Sequence, residues 1–316
     1  WKILQEAAGV SLHKLSTTRW SARIEAVKPL VKRPREILDA LKGLKDHDLP
    51  GDVCNDVENL IQWLQSLEFV LLITFWFKVL QTINDVSVLL QASKITIDEE
   101  FRLIESLQDD LKRVRESWSV ISVESKLVAS SLGLSEHFRE KRRRISTRFH
   151  DEPRDSQDEQ HSQEKEFQIN VFNVALDRVI SEIGCRFEKT KQVNDMFSFL
   201  WNFSGVSSPG GNEAAERTLE ICCKNLSNFY PRDLNEQGLL EEIRILDKLK
   251  KSNISDEKLS SIALLNKIYE KGLQTILPQV CVALRLFVTI PVSVSSGERS
   301  FSKLGIVKNC RRSTMG

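Results

Sequence analysis

The chain has 316 residues, with 45 lysines and arginines against 44 acids and a formal net charge of +1. Apolar residues make up 41% and charged residues 28%, the balance of a globular chain that can build a sizeable core, not of a disordered or fibrous one. So even a charge balance also excludes the overall basic excess of an ordinary nucleic-acid-binding domain and leaves only a local basic patch as a route to such binding.

Glycine (13) and proline (8) are scarce, and residues 52–132 contain neither. A Gly-rich phosphate loop, a dinucleotide-binding fingerprint and a β-sandwich are therefore excluded from the first half, since each depends on these residues for its turns. The six cysteines (Cys54, Cys185, Cys222, Cys223, Cys281 and Cys310) lack CxxC spacing. They fit neither a zinc framework nor a secreted disulfide scaffold, and suit a reducing compartment, cytosol or nucleus.

In chain order, the apolar positions Ile24, Val27, Leu30, Val31, Ile37, Leu38, Leu41 and Leu44 recur at helical spacing, with Pro29 and Pro34 as a kink or break. Pro50-Gly51 marks a loop around residues 46–52. From Val57 to about Gln91 the apolar density predicts one helix buried on most faces. Its centre, Phe69–Phe77, is a run of nine residues, short of the roughly 20 that a bilayer core requires, so a buried helix is expected there and no membrane span.

A second long helix is expected from Thr96 to about Ser130, with Asp98, Glu99 and Glu100 near its first turn, where acids suit the helix dipole. The short connection makes the two an antiparallel pair. Residues 139–166 form a charged linker, basic to Arg148 and acidic from Asp151, with too little apolar surface to offset the entropy of ordering. Helical periodicity resumes at Phe167 and runs to Phe187, followed by helices over 212–228, 239–250 and 258–273. β-Propensity rises only at Leu284–Ile290; Val292–Ser295 reads as a loop, and a last helix starts near Glu298. No repeat period is present. The residues alone thus describe an all-α chain with a charged hinge.

Three places carry candidate chemistry. In Thr17-Thr-Arg-Trp-Ser21, Trp20 beside Arg19 suits stacking on an unstacked base with the guanidinium on phosphate; the plain alternative is an aromatic anchor at a helix start, capped by Thr17 or Thr18. In Ser295–Ser302, Glu298 beside Arg299 is placed to ligate a divalent metal for phosphoryl transfer, but Ser295-x-x-Glu298 is equally a capping box. One carboxylate cannot hold a metal pair. Lys141-Arg-Arg-Arg144, followed by Ser146, reads as a nuclear-import signal, a phosphosite or a solvated charge run. His150 and His161 lack ligand spacing, and Cys222 and Cys223 point to different helix faces, so neither pair is a metal site.

The segment Leu286–Leu304, with the pattern Ile290-Pro-Val, five residues, then Glu298-Arg-Ser-Phe-Ser-Lys-Leu304, resembles the C-terminal dimerisation region of hAT-family transposases. Its continuation Ile306–Asn309 and Arg312–Met315 fits the same pattern, and Thr18-Arg-Trp-Ser21 is similar to the family's TRW block. Leu67–Trp76 and Phe167–Phe187 look like the domesticated branch that includes zinc finger MYM-type protein 1-like sequences. The resemblance implies an RNase H-like fold interrupted by a helical insertion domain. Residues 1–138 and 167–285 would be the two parts of that insertion, and 286–316 a truncated dimerisation segment.

By the same resemblance Glu298 matches the catalytic glutamate and Trp20, with Arg19, the DNA-contacting block. Leu286, Phe287, Ile290, Pro291, Arg299, Phe301 and Leu304 match the dimerisation surface. A lone monomer is expected to expose Leu286, Phe287, Val288 and Phe301 as an apolar patch. Trp1 in place of Met, and the charged run at the other end, suggest an internal piece of a longer chain. The two upstream aspartates and the zinc finger would then precede Trp1. The expectation is a non-catalytic, nuclear, self-associating protein with no cofactor, magnesium being needed only by a complete core; contact with DNA would come through the parent, and no membrane is involved. The alternative is a fragment of an active DNA transposase.

Overall fold

A computed structural model of the chain describes residues 20–44, 50–92, 95–138, 163–202, 213–253 and 259–291. The described residues are mainly helical and include no strand. The chain groups into two compact units, one of residues 1–87 and 107–182, the other of 88–106 and 183–316.

Unit 1 begins with α1 (Trp20–Lys32) and α2 (Pro34–Leu44). Pro34 opens α2 at a position where its missing N–H costs nothing. The Arg33 N–H still reaches the Pro29 carbonyl at 2.9 Å, so the break is a kink in one helical path. α3 (Gly51–Leu64) and α4 (Leu67–Leu90) replace the single helix expected from Val57 to Gln91. Ser66 divides them: its hydroxyl donates to the Trp63 carbonyl at 2.6 Å and accepts the Phe69 N–H at 3.2 Å, ending one helix and capping the next.

With 24 residues, α4 is long and apolar enough to cross a membrane, so the short-run argument from Phe69–Phe77 does not hold by length. Phe69, Val70, Leu71, Phe75, Val79, Leu80 and Ile83 are all buried in unit 1, which makes α4 its core helix.

The second expected long helix is likewise two, α5 (Ile97–Glu116) and α6 (Trp118–Ser131), separated at Ser117. Ser117 turns its hydroxyl back onto the Val114 carbonyl at 2.7 Å, a local bond that competes with helix continuation. α4 and α6 are joined by the Lys78–Glu124 ion pair at 2.5 Å. α7 (Gln163–Phe167), a π-helical stretch (Gln168–Asn173) and α8 (Val174–Phe197) follow one another without a break.

Helical order starts at Gln163, before the Phe167 expected from periodicity. Glu164 supplies the reason: it accepts a hydrogen bond from Ser122 and pairs with Lys126 at 2.8 Å, tying a polar first turn to α6. The wider π turn carries Phe172 into the core. Phe172 is fully buried, edge-on to Phe75 at 5.3 Å and beside Trp118 at 5.0 Å. Offset and edge-on rings of this kind add to the burial of their area.

Unit 2 is built from α9 (Phe199–Asn202), α10 (Glu213–Phe229), α11 (Glu236–Asn253), α12 (Ser261–Glu270), a 3-10 turn (Leu273–Thr275) and α13 (Pro278–Thr289), with the first turns of α5. Its core gathers Leu219, Leu226, Leu239, Ile243, Leu264 and Leu284 around α13. The rise of β-propensity at Leu284–Ile290 has no structural counterpart: the chain is helical through Thr289. Pro278 fixes the first turn, and Val280, Cys281, Ala283, Leu284 and Phe287 are all buried, so packing overrides intrinsic preference.

Candidate functional site

Of the residues singled out for chemistry, Trp20 is the first residue of α1. Arg19, Thr17, Thr18, Glu298, Arg299, Phe301 and Leu304 lie outside the described residues, as do Ser295, the Lys141–Arg144 run, His150 and His161. Among the described residues no group of three or more His, Cys, Asp or Glu is placed to hold a metal ion.

The expected dimerisation residues that are described sit at the end of α13. Leu286 and Ile290 are half-buried and pack against the unit 2 core, while Pro291 is exposed. Phe287 is different. It is fully buried, 5.1 Å from Phe197 and 4.8 Å from Trp201 by ring centroid, and Val288 is half-buried. Phe287 is thus a core residue of its own unit and not part of an exposed patch, because the helical period turns it away from Leu286 and into the other helices.

Two carboxylates in unit 2 act as caps across helices. Asp98, in the first turn of α5, accepts the Ser261 backbone N–H at 3.1 Å and the Ser261 hydroxyl at 2.7 Å at the start of α12. Ser260 completes that cap by accepting the Ala263 N–H at 3.3 Å. Glu242 on α11 accepts the Val280 N–H at 2.8 Å at the start of α13. Burial raises its pKa, and the bonds from the Val280 and Gln279 backbones oppose that rise. These arrangements satisfy orphan helix-end donors, which accounts for both acids without a substrate.

Glu100 is the odd acid. It lies two residues after Asp98, is 5% exposed, and burial pushes its carboxyl up to about 7. The thiols of Cys223 and Cys281 are also raised by burial, Cys223 to about 12, which makes them poor nucleophiles. Cys222, half-buried beside Cys223 on α10, is raised as well.

Unit 1 holds a partly enclosed cleft of about 240 Å³ that sequence reading did not single out. α4 provides one wall through Phe69, Ile73 and Phe77, and α6 another through Val128, with Leu132 just past its end; Leu30 and Ile37 from α1 and α2 face them. Its charged lining is the Lys78–Glu124 pair. The only signal in the sequence is that α4 is apolar all round, which states burial without saying that a space is left.

No protein-family model matches the chain, and no solved structure matches it. Fold and site define a class only at the level of architecture: among the described residues, a mainly helical protein of two compact units, with acids used as interhelical caps and an apolar cleft in unit 1.

Proposed function

We propose that this chain belongs to a non-catalytic protein of hAT-transposase descent whose retained activity is self-association. The observation that carries the reading is the run from Ile290 to Leu304, with its Ile-Pro-Val and Glu-Arg-Ser-Phe-Ser-Lys-Leu blocks. The mainly helical architecture of the described residues suits a helical insertion domain. The self-association surface comprises Leu286, Ile290, Pro291, Arg299, Phe301 and Leu304, without Phe287. Glu298 acts in this reading as the helix-capping partner of Ser295, and nuclear localisation follows from the basic run at Lys141–Arg144.

Size-exclusion chromatography with light scattering at tens of micromolar tests the proposal. A dimer or larger species is expected, reduced to monomer by Phe301→Glu with Leu304→Glu. A wild-type chain that stays monomeric refutes it.

A further inference from the structure

The cleft in unit 1 has dimensions and polarity that specify a ligand. Phe69, Ile73 and Phe77 are spaced by fours on α4, so they share one face and line a straight wall. From Phe69 to Lys78 this wall runs about 13 Å along the helix axis. Glu124, Val128 and Leu132 contribute to the lining from the α6 side, and Glu124 meets Lys78.

The two ends differ. Lys78 and Glu124 have side chains 36% and 47% exposed and form a polar mouth together with Val128, itself 36% exposed and one turn on from Glu124, whereas Leu64 and Phe69 are buried. We propose that the cleft binds a neutral amphiphile, a hydrocarbon chain of about ten carbons carrying a hydroxyl head group. An apolar cavity of about 150 Å³ holds a benzene molecule, so the volume here takes about ten carbon-sized atoms, and an extended chain of that size matches the length of the wall.

The head group follows from the ion pair. Lys78 Nζ and Glu124 Oε2 stand 2.5 Å apart, so the mouth presents one donor and one acceptor with no net charge. A hydroxyl accepts from the ammonium and donates to the carboxylate without breaking the pair. A carboxylate head faces Glu124 and an ammonium head faces Lys78, and either must displace a partner from a charge-assisted bond.

Calorimetric titration of the whole chain with 1-octanol, 1-decanol and 1-dodecanol, and with decanoate and decylamine, tests this. Affinity is expected to rise from eight to about ten carbons and then level off, with the two charged decyl compounds binding about tenfold more weakly than decanol. Ile73→Trp, which fills the cleft, is expected to abolish decanol binding. Glu124→Gln is a substitution at a half-exposed position that leaves the walls intact, and it frees Lys78, so decanoate should then bind at least as tightly as decanol. Affinity that ignores the head group, or keeps rising with chain length, overturns the proposal, as does decanol binding that survives Ile73→Trp in a folded variant. An unchanged preference for decanol over decanoate in Glu124→Gln also overturns it, and this arm does not depend on how Ile73→Trp folds.

Discussion

Glu100 offers a direct reading of how burial sets the pH dependence of this fold. Its carboxyl ionises at about 7 in the folded chain, against an ordinary value of 4.5, and the cause is burial in the first turn of α5. Between those two values the folded chain holds a proton that the unfolded chain has released. Stability therefore falls as pH rises from about 4.5 to about 7, and it stays at the lower level above that. The span of about 2.5 pH units, at about 1.4 kcal/mol each, sets an upper limit of about 3.5 kcal/mol. Replacing Glu100 with Gln keeps the shape and removes the titration. Urea unfolding followed by circular dichroism at pH 5, 6, 7 and 8 would measure both proteins. The gap between them should widen in favour of the Gln variant across this range and then stop. Glu164 and Glu242 titrate in both proteins and cancel in the difference. Parallel stability profiles would refute the reasoning, because the carboxyl would then be ionised in both states at every pH.

Three further outcomes follow from packing and capping. Phe287→Ala should cost about 3–5 kcal/mol in unfolding free energy, as a buried aromatic does, whereas Pro291→Ala should cost under about 0.5 kcal/mol. A dimer-surface role for Phe287 would reverse that order, with lost association in a fully stable monomer. Asp98→Ala and Ser261→Ala should each cost about 1–3 kcal/mol, and a double-mutant cycle by urea unfolding should show coupling, because both remove the buried bond from the Ser261 hydroxyl to Asp98, while the bond from the Ser261 N–H is lost only in Asp98→Ala. Independent effects would contradict the geometry. Thiol labelling in native buffer should modify exposed Cys185 before Cys54 and Cys222, and should reach Cys223 and Cys281 only once denaturant is added. Early labelling of Cys223 would mean that α10 does not pack as described.

How the acids at the start of α5 are used shows where sequence reading stops. The run Asp98-Glu99-Glu100 announces a helix start, and a helix does start at Ile97. Charge near a helix dipole explains only part of it. Glu99 reaches back to the Thr96 N–H at 3.3 Å, as a capping box requires, yet the Thr96 hydroxyl is buried without a partner, so only half of the box is made. Asp98 caps a different helix, far along the chain, and Glu100 is desolvated. Three adjacent acids thus have three roles, and the neighbours that assign them come from outside the local sequence.

The breaks at Ser66 and Ser117 make the same point. Apolar periodicity runs through both, so the sequence reads as continuous helix. Each serine instead turns its hydroxyl onto a carbonyl three residues back, and the helix on the far side sets out afresh. Trp118 then contacts Phe167 and Phe172, contacts that no window of nearby residues contains.

What the sequence determined by itself is the helical class, the approximate span of most helices and the presence of apolar faces, because a period of 3.6 and the scarcity of glycine and proline are local properties. Tertiary structure alone decided that Phe287 is core while Leu286 keeps partial exposure, that Glu100 holds its proton to about pH 7, and that α4 and α6 leave a cleft with the Lys78–Glu124 pair in its lining. Burial, pKa and cavity shape depend on what distant segments bring to a residue, and spacing along the chain carries no record of that.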